Sequence, residues 1–377
     1  MLRSTASLSV DEALDELALY LKPPGQGIFS VSTGKRELLE RTERYLGGPI
    51  PEWRAHLDAL SQRPAVVLLG VPSDAGAGIM RGAAYGPMAI REGLGHAPVL
   101  DLGDVFTVPH FIDDAMLSDA QRWRSQDAMY PRAEPGYRRA LPVSPIDLTA
   151  RVFDLVQRVS PRVRIHLLGG DHTVSYGAML GLFSRPGARN QDVGIVHFDA
   201  HTDLLEERLG VRFCFATWAR YANDLIGRDR RLIQIGVRAS AKDRSHWESV
   251  ADVRQVWAPE ARELAPGALA ELVIGHLRGR GVRRVYISND LDGTDAAWAA
   301  ACGTPEPNGL SPPAVLTVIG AVSAAFEVIG ADMVELAPGL SLSPEKSKIS
   351  VETAVAYTQA QLRALGARGV GGVGGVG

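Results

Sequence analysis

Cysteine is scarce: among 377 residues only Cys214 and Cys302 occur. No disulfide framework can hold such a chain together, and a reducing compartment suits it. Long apolar runs are missing as well; none reaches the roughly 18 residues that a membrane-spanning helix needs. The N-terminus lacks a basic region followed by an apolar core, the pattern of a secretory leader. Charge of one sign is absent too, with a formal net charge of -3 and no long acidic or basic run. Nucleic acid and acidic membrane surfaces are therefore poor partners. The expectation is a soluble cytoplasmic protein that acts on a small molecule.

Apolar residues make up 46% of the chain, enough for a large core. The first 60 residues read as an N-terminal extension, with short helices over Asp11–Leu21 and Glu37–Tyr45 separated by Pro23-Pro24-Gly25. It is expected either to pack on the main domain or a neighbouring subunit or to form a partly mobile tail. The main domain is taken as 61–367. Within it, apolar runs at Ala65–Val71, Val99–Leu102, Val163–Leu168, Val193–Phe198, Leu232–Gly236, Val282–Ser288 and Met333–Leu336 predict strands. Helical spacing is read from Met88, over Leu148–Val159, Ser175–Phe183, Ala268–Leu277 and Val351–Leu365, and as one long helix over Pro312–Ile329. Residues 107–145, rich in Asp, Pro and Arg, are expected to form a surface excursion. Residues 368–377, a glycine and valine repeat, read as a flexible tail. Strands alternating with helices argue for a mainly parallel sheet covered on both faces, a three-layer α/β/α sandwich.

Chemistry gathers at the ends of three strands. Gly169-Gly170-Asp171-His172 follows one, Asp199-Ala200-His201-Thr202-Asp203 the second, and Asp290-Leu291-Asp292 ends the third. In open α/β sheets this carboxyl edge is where ligands bind. If extended geometry continued past the strand, period two would point Asp199, His201 and Asp203 the same way. A short Asp-x-His-x-Asp motif alone fits a solvated turn or a set of helix caps equally well. Three such clusters at strand ends are a different matter. Carboxylates converging there repel unless cations lie between them. With His172 the set is four carboxylates and two imidazoles, enough for two metals. Mixed oxygen and nitrogen donors suit Mn, Fe, Co, Ni or Zn better than Ca or Mg. His197 shares the face of Asp199 one step deeper and reads as a packing or supporting histidine. His166 reads as a satisfied strand histidine, and His56, His96, His110, His246 and His276 lack supporting context.

These motifs, together with Ser288-Asn-Asp-Leu-Asp-Gly-Thr-Asp295, resemble the metal motifs of the ureohydrolases, the arginase and agmatinase family. The resemblance extends through Gly70-Val-Pro-Ser-Asp74, Arg81–Pro87, Gly303–Leu310 and Gly330–Pro338, and covers roughly Ala65 to Leu365. It implies an arginase-like fold, a binuclear metal centre, and a homotrimer or homohexamer. It also implies that His172 binds one metal and His201 the other. Asp199 and Asp290 would bridge, and Asp203 and Asp292 would complete the sets. Asp203 would carry a proton from the attacking water to the leaving nitrogen. Glu335 would pair with a guanidinium, where planar donors suit a carboxylate, with Thr304 beside it. The products would be urea and ammonia or an amine.

The chain departs from the family after the central motif. Arginases place there a Ser-Gly-Asn segment that holds the amino-acid end of arginine; here the segment is Leu204–Trp218, without that pattern. A His-Gly pair that assists proton transfer is replaced by Cys214-Phe215. Phe213, Phe215 and Trp218 predict a bulky apolar pocket wall, although aromatics are most often packing, and Cys214 could be a pocket thiol or a buried inert one. A small cavity favours free guanidine, followed by a short guanidino acid or agmatine. Formimidoyl or amide hydrolysis on the same centre, and a non-catalytic metal-binding relative, are the alternatives.

Overall fold

The computed structural model describes residues 5–29, 34–95, 99–184 and 190–366. The glycine and valine tail and His96 lie outside the described residues. Among the described residues there are nine strands: β1 (Leu21–Lys22), β2 (Val66–Val71), β3 (Leu100–Val105), β4 (Arg164–Gly169), β5 (Val193–Phe198), β6 (Leu232–Ile235), β7 (Arg254–Val256), β8 (Arg284–Asp290) and β9 (Glu327–Val334). They form one sheet in the order β1-β3-β2-β4-β9-β8-β5-β6-β7. Only β1 runs antiparallel to its neighbour; the other pairings are parallel.

The central strands are apolar throughout because both faces are covered. Alternation then assigns each side chain to a layer. Val66, Leu68, Val196 and Phe198 face helices Gly86–Leu94, Pro266–Gly279, Pro312–Ala325 and Pro344–Ala364. Val67, Leu69, Val193 and Ile195 face the other way, towards Val10–Tyr20, Pro145–Val159, Thr173–Phe183 and Trp218–Leu225. This is a three-layer α/β/α sandwich. Among the described residues, no helix is long and apolar enough to cross a membrane.

The described part of the N-terminal segment has residues packed against this sandwich. Leu14, Leu17 and Tyr20 are buried with Phe153 and Val156, and Arg151 holds the buried Glu16 at 2.6 Å. Tyr45 donates to Asp101 at 2.8 Å.

Several boundaries differ from expectation. The helix from Pro312 stops at Ala325, where the Phe326 N–H closes the last turn on Val322. The chain then enters β9, six residues before the expected strand at Met333. Apolar residues predominate on both sides of this boundary, and their periodicity does not place it. The consequence is that Glu335 stands just beyond a strand end. The closing helix begins at Pro344, with the Ser343 side chain accepting from the Lys346 N–H. Residues 107–145 are not only surface. They contain the helix Asp119–Met129, capped by Ser118, and send Tyr130, Leu141 and Val143 into the core.

That excursion is pinned by clustered carboxylates. Asp147 accepts the Asp114 N–H at 2.9 Å, and Asp114 accepts from Ser144 at 2.8 Å. Burial first, and the Asp114 charge second, push Asp147 up to about 7. The folded protein thus holds a proton that the unfolded chain has released. The stability this group contributes is present below about pH 4 and is lost as pH rises through about 7. Asp147→Asn is neutral at every pH and can still accept the Asp114 N–H. It should raise stability by about 1–2 kcal/mol at about pH 8 and by little near pH 4. Urea-unfolding midpoints at the two pH values check this; equal gains at both would reject it.

Candidate metal centre

The predicted ligands stand at the carboxyl ends of β4, β5 and β8. His172 follows β4 and precedes the helix Thr173–Phe183. β5 ends at Phe198, so extended alternation does not carry Asp199, His201 and Asp203 into place, contrary to expectation. A turn does: the Asp199 carboxylate accepts the His201 N–H at 2.6 Å, and Asp203 takes a left-handed backbone, φ 52°. Asp290 is the last residue of β8, and its carboxylate accepts the Asp292 N–H at 2.9 Å, closing a short 3-10 turn. Gly293 allows that turn to lie against the β5 end, since a Cβ there would come within 2.7 Å of the Asp199 nitrogen.

All six predicted ligands come together. The His172 Nδ1 lies 3.0 Å from Asp290 Oδ2, 3.3 Å from Asp199 Oδ2 and 3.4 Å from Asp203 Oδ2. The His201 Nδ1 lies 3.1 Å from Asp292 Oδ2 and 3.4 Å from Asp199 Oδ1. Asp199 is common to both groups of converging donor atoms. All are buried except His201, which keeps 24% of its side chain exposed.

Hydrogen bonds fix what the His172 imidazole can do. Ser288 spends its hydroxyl hydrogen on Asp332 at 2.8 Å. It can therefore only accept from His172 Nε2, at 2.9 Å. Nε2 carries the hydrogen, and the bare Nδ1 lone pair points among three carboxylates. An unshared lone pair facing anions is unfavourable, and a cation between them removes the conflict. Without one, the site recruits protons. Against the effect of burial, Asp199 and Asp203 hold His172 up at about 9, and Asp292 with Asp199 raises His201. Burial, and then the neighbouring carboxylates, push Asp203 and Asp290 well above the carboxylate range. The donor set therefore fits divalent cations.

His197 lies in this cluster, 2.8 Å from Asp199 Oδ2. Its role follows from its other nitrogen. The Gln234 amide donates to His197 Nδ1 at 3.0 Å and to the Thr202 carbonyl at 2.6 Å. His197 must then carry its hydrogen on Nε2 and donate it to Asp199, so it orients a carboxylate and offers no lone pair to a metal. Gln255 continues the row, donating to Gln234 at 2.8 Å. The register explains it: His197, Gln234 and Gln255 are direct partners across β5, β6 and β7. His166 sits apart in the core on Gln361.

Glu335 stands beside the cluster. Its backbone is left-handed, φ 64°, and its Oε1 accepts the His172 N–H at 2.8 Å. Burial, then the Asp290 charge, raises its pKa well above the usual value. Gly303 lies near it: a Cβ built there would be 3.9 Å from Glu335 Oε2 and 3.3 Å from the Met80 carbonyl. The Thr304 hydroxyl donates to Asp292 of the cluster at 2.9 Å.

The expected aromatic wall is dispersed. Phe213 stacks on Tyr176 at 4.8 Å and meets Tyr221 edge-on. Trp218 is buried beneath the cluster, 1% exposed. Phe215 alone reaches the loop after β2, 3.6 Å from a Cβ placed on Gly78. Cys214 is buried, its thiol pushed up by that burial. Sequence reasoning missed Ser288, Asp332, Gln234 and Gln255. Ser288 was findable, since it shares strand parity with Asp290. The glutamines sit on an apolar strand and a short one, with no local signal.

Comparison with known proteins agrees with this geometry. The profile of the Arginase family matches residues 64–360. The chain is 31% identical over 307 residues to guanidinobutyrase of Pseudomonas aeruginosa, covering 75% of this chain and 81% of that protein. It is 29% identical over 296 residues to the mitochondrial guanidino acid hydrolase of Homo sapiens, covering 73% and 72%. Its fold is similar to that of the proclavaminate amidino hydrolase from Streptomyces clavuligerus, with a TM-score of 0.59 and 24% identity over 78% of this chain and 91% of that one.

Proposed function

Since the chain belongs to the arginase family, we propose that it hydrolyses a guanidinium compound to urea and ammonia or an amine, with residues 61–367 as its catalytic domain. The observation that carries this reading is the pairing of Glu335 with the cluster, through a bond from the His172 backbone at 2.8 Å. One carboxylate is thereby held beside a cation site without being consumed by it. Planar N–H donors of a guanidinium match such a carboxylate.

His172, Asp203, Asp199 and Asp290 would hold one divalent cation, manganese or nickel. His201, Asp292 and the same two bridging carboxylates would hold a second. Bound there, the pair supplies the Lewis acidity that makes water a competent nucleophile near neutral pH. The rest falls to side chains. Glu335 orients the guanidinium with its carbon towards the cluster. Asp203 accepts the proton of the attacking water and returns it to the leaving nitrogen. The tetrahedral carbon then collapses, the C–N bond breaks, and urea and the protonated amine leave. A cytoplasmic homotrimer or homohexamer is the form we propose.

Free guanidine is the first substrate in this reading, because the arginine-binding Ser-Gly-Asn pattern is missing and the bulky Phe215 lies against the loop after β2. A short guanidino acid is the second. The observation favouring it is Arg208, exposed and 5.0 Å above the Phe215 ring. Among the described residues it has no carboxylate partner, so it could meet the acid end of such a substrate. Urea release from free guanidine, agmatine, 4-guanidinobutyrate and arginine, and formamide release from formimidoyl-glutamate, measured with Mn- or Ni-loaded protein, separate these cases. Release from free guanidine above the others is the expected result. No urea from any guanidino compound, despite two bound metals, would overturn the reading in favour of formimidoyl hydrolysis or a non-catalytic relative.

A further inference from the structure

The carboxylates of the cluster are not held alike. Asp199 accepts the His201 backbone N–H and the His197 ring. Asp290 accepts the Asp292 N–H, and Asp292 accepts the Ala200 N–H and the Thr304 hydroxyl. Each is thus fixed by the backbone of its own turn or its neighbour. Asp203 is the exception. Among the described residues its carboxylate has one fixed donor, the indole Nε1–H of Trp218, at 2.9 Å from Oδ2.

Trp218 is well placed to impose geometry. It is the first residue of the helix Trp218–Leu225 and the bulkiest of the fully buried side chains. That helix is tied to the same loop a second time, since the Arg220 N–H donates to the Asp203 carbonyl at 3.2 Å. The indole ring stacks on His172 with centroids 4.3 Å apart and planes 29° from parallel. Its edge relation to His197 adds a second wall at 5.0 Å. One rigid side chain therefore touches an imidazole ligand through its face and a carboxylate ligand through its N–H. Those two ligands approach each other at 3.4 Å.

We propose that Trp218 is a positioning residue: its N–H turns Asp203 towards His172, its ring sets the plane of the His172 imidazole, and together they shape the cation site those two share. The proposal rests on reading the cluster as a metal centre. It assigns Trp218 no contact with substrate, in contrast to the pocket-wall role that its sequence position suggested.

Trp218→Phe isolates the hydrogen bond, because the ring and its stacking remain. Chelator-stripped variant and parent are titrated with Mn by calorimetry, and melting is followed in parallel. The expected result is a melting temperature close to the parent, Mn affinity weaker by about 10-fold or more, and kcat reduced by a similar factor at unchanged KM. A variant with parental Mn affinity and kcat overturns the proposal. So does one that loses melting temperature while keeping its affinity, which is the signature of packing alone. Should Trp218→Phe not fold, Asp203→Asn with Trp218 intact gives the answer by NMR. One of the six indole N–H resonances must shift in the stripped protein; if none moves, the bond does not operate. Affinity and resonance are read without substrate, so their failure is distinct from a failure to release urea.

Discussion

Asp203→Asn should lower kcat for urea release by about a thousandfold while leaving the protein folded and most of its metal bound. The amide is the same shape as the carboxylate, and its oxygen can still accept from Trp218, now 2.9 Å away. Asparagine also tolerates the left-handed backbone at this position, φ 52°. What it cannot do is take a proton. Positioned proton transfer contributes roughly 10²–10⁴ in rate, and because it operates only in the transition state the loss should fall on kcat. Metal content by elemental analysis, measured with steady-state kinetics, checks both halves. A kcat within a few-fold of the parent would reject Asp203 as the proton carrier.

Glu335→Gln should cost about 10²–10³ in kcat/KM. Truncating one side of a buried, hydrogen-bonded charge pair costs about 2–5 kcal/mol, and the guanidinium would lose its only proposed carboxylate partner. The glutamine carbonyl can replace Oε1 as acceptor of the His172 N–H, at 2.8 Å in the parent. The local fold should therefore survive. Glu335 lies outside both groups of converging donor atoms, so metal content should not change. The two variants are thus separable: guanidinium binding, read by calorimetry on the metal-loaded variants, should weaken in Glu335→Gln and hold in Asp203→Asn. Unchanged kcat/KM in Glu335→Gln would remove the guanidinium-binding role.

Much of this site could be read before any coordinate. His172, Asp199, His201, Asp203, Asp290 and Asp292 lie in short motifs that end apolar runs, and β5 occupies the expected Val193–Phe198. Such candidate ligands are legible because strand ends fix where short sequence-local motifs must point. The supporting residues were harder, because they are brought in from elsewhere by register. Gln255 reaches the cluster only through β7 pairing with β6 and β6 with β5, and a three-residue strand carries almost no pattern. Trp218 was noticed for its bulk, yet bulk does not say whether an aromatic lines a pocket or lies under it. Phe213 illustrates the same limit, since it turned to Tyr176 and Tyr221. The expected helix over Pro312–Ile329 failed for a simpler reason: apolar residues predominate on both sides of the Ala325 boundary, so their pattern does not mark it.

Asp203 and Glu335 share the left-handed backbone, at φ 52° and 64°, and that has a bearing on engineering. An L-residue pays roughly 1–2 kcal/mol for this conformation, somewhat less for aspartate, and glycine pays nothing. Glycine at position 203 would also remove one charge from a crowd of carboxylates. A selection for thermal resistance alone would therefore favour these two positions among the first, and would return hardy proteins without chemistry. Stabilising designs for this chain should hold both residues fixed and draw their gains from elsewhere.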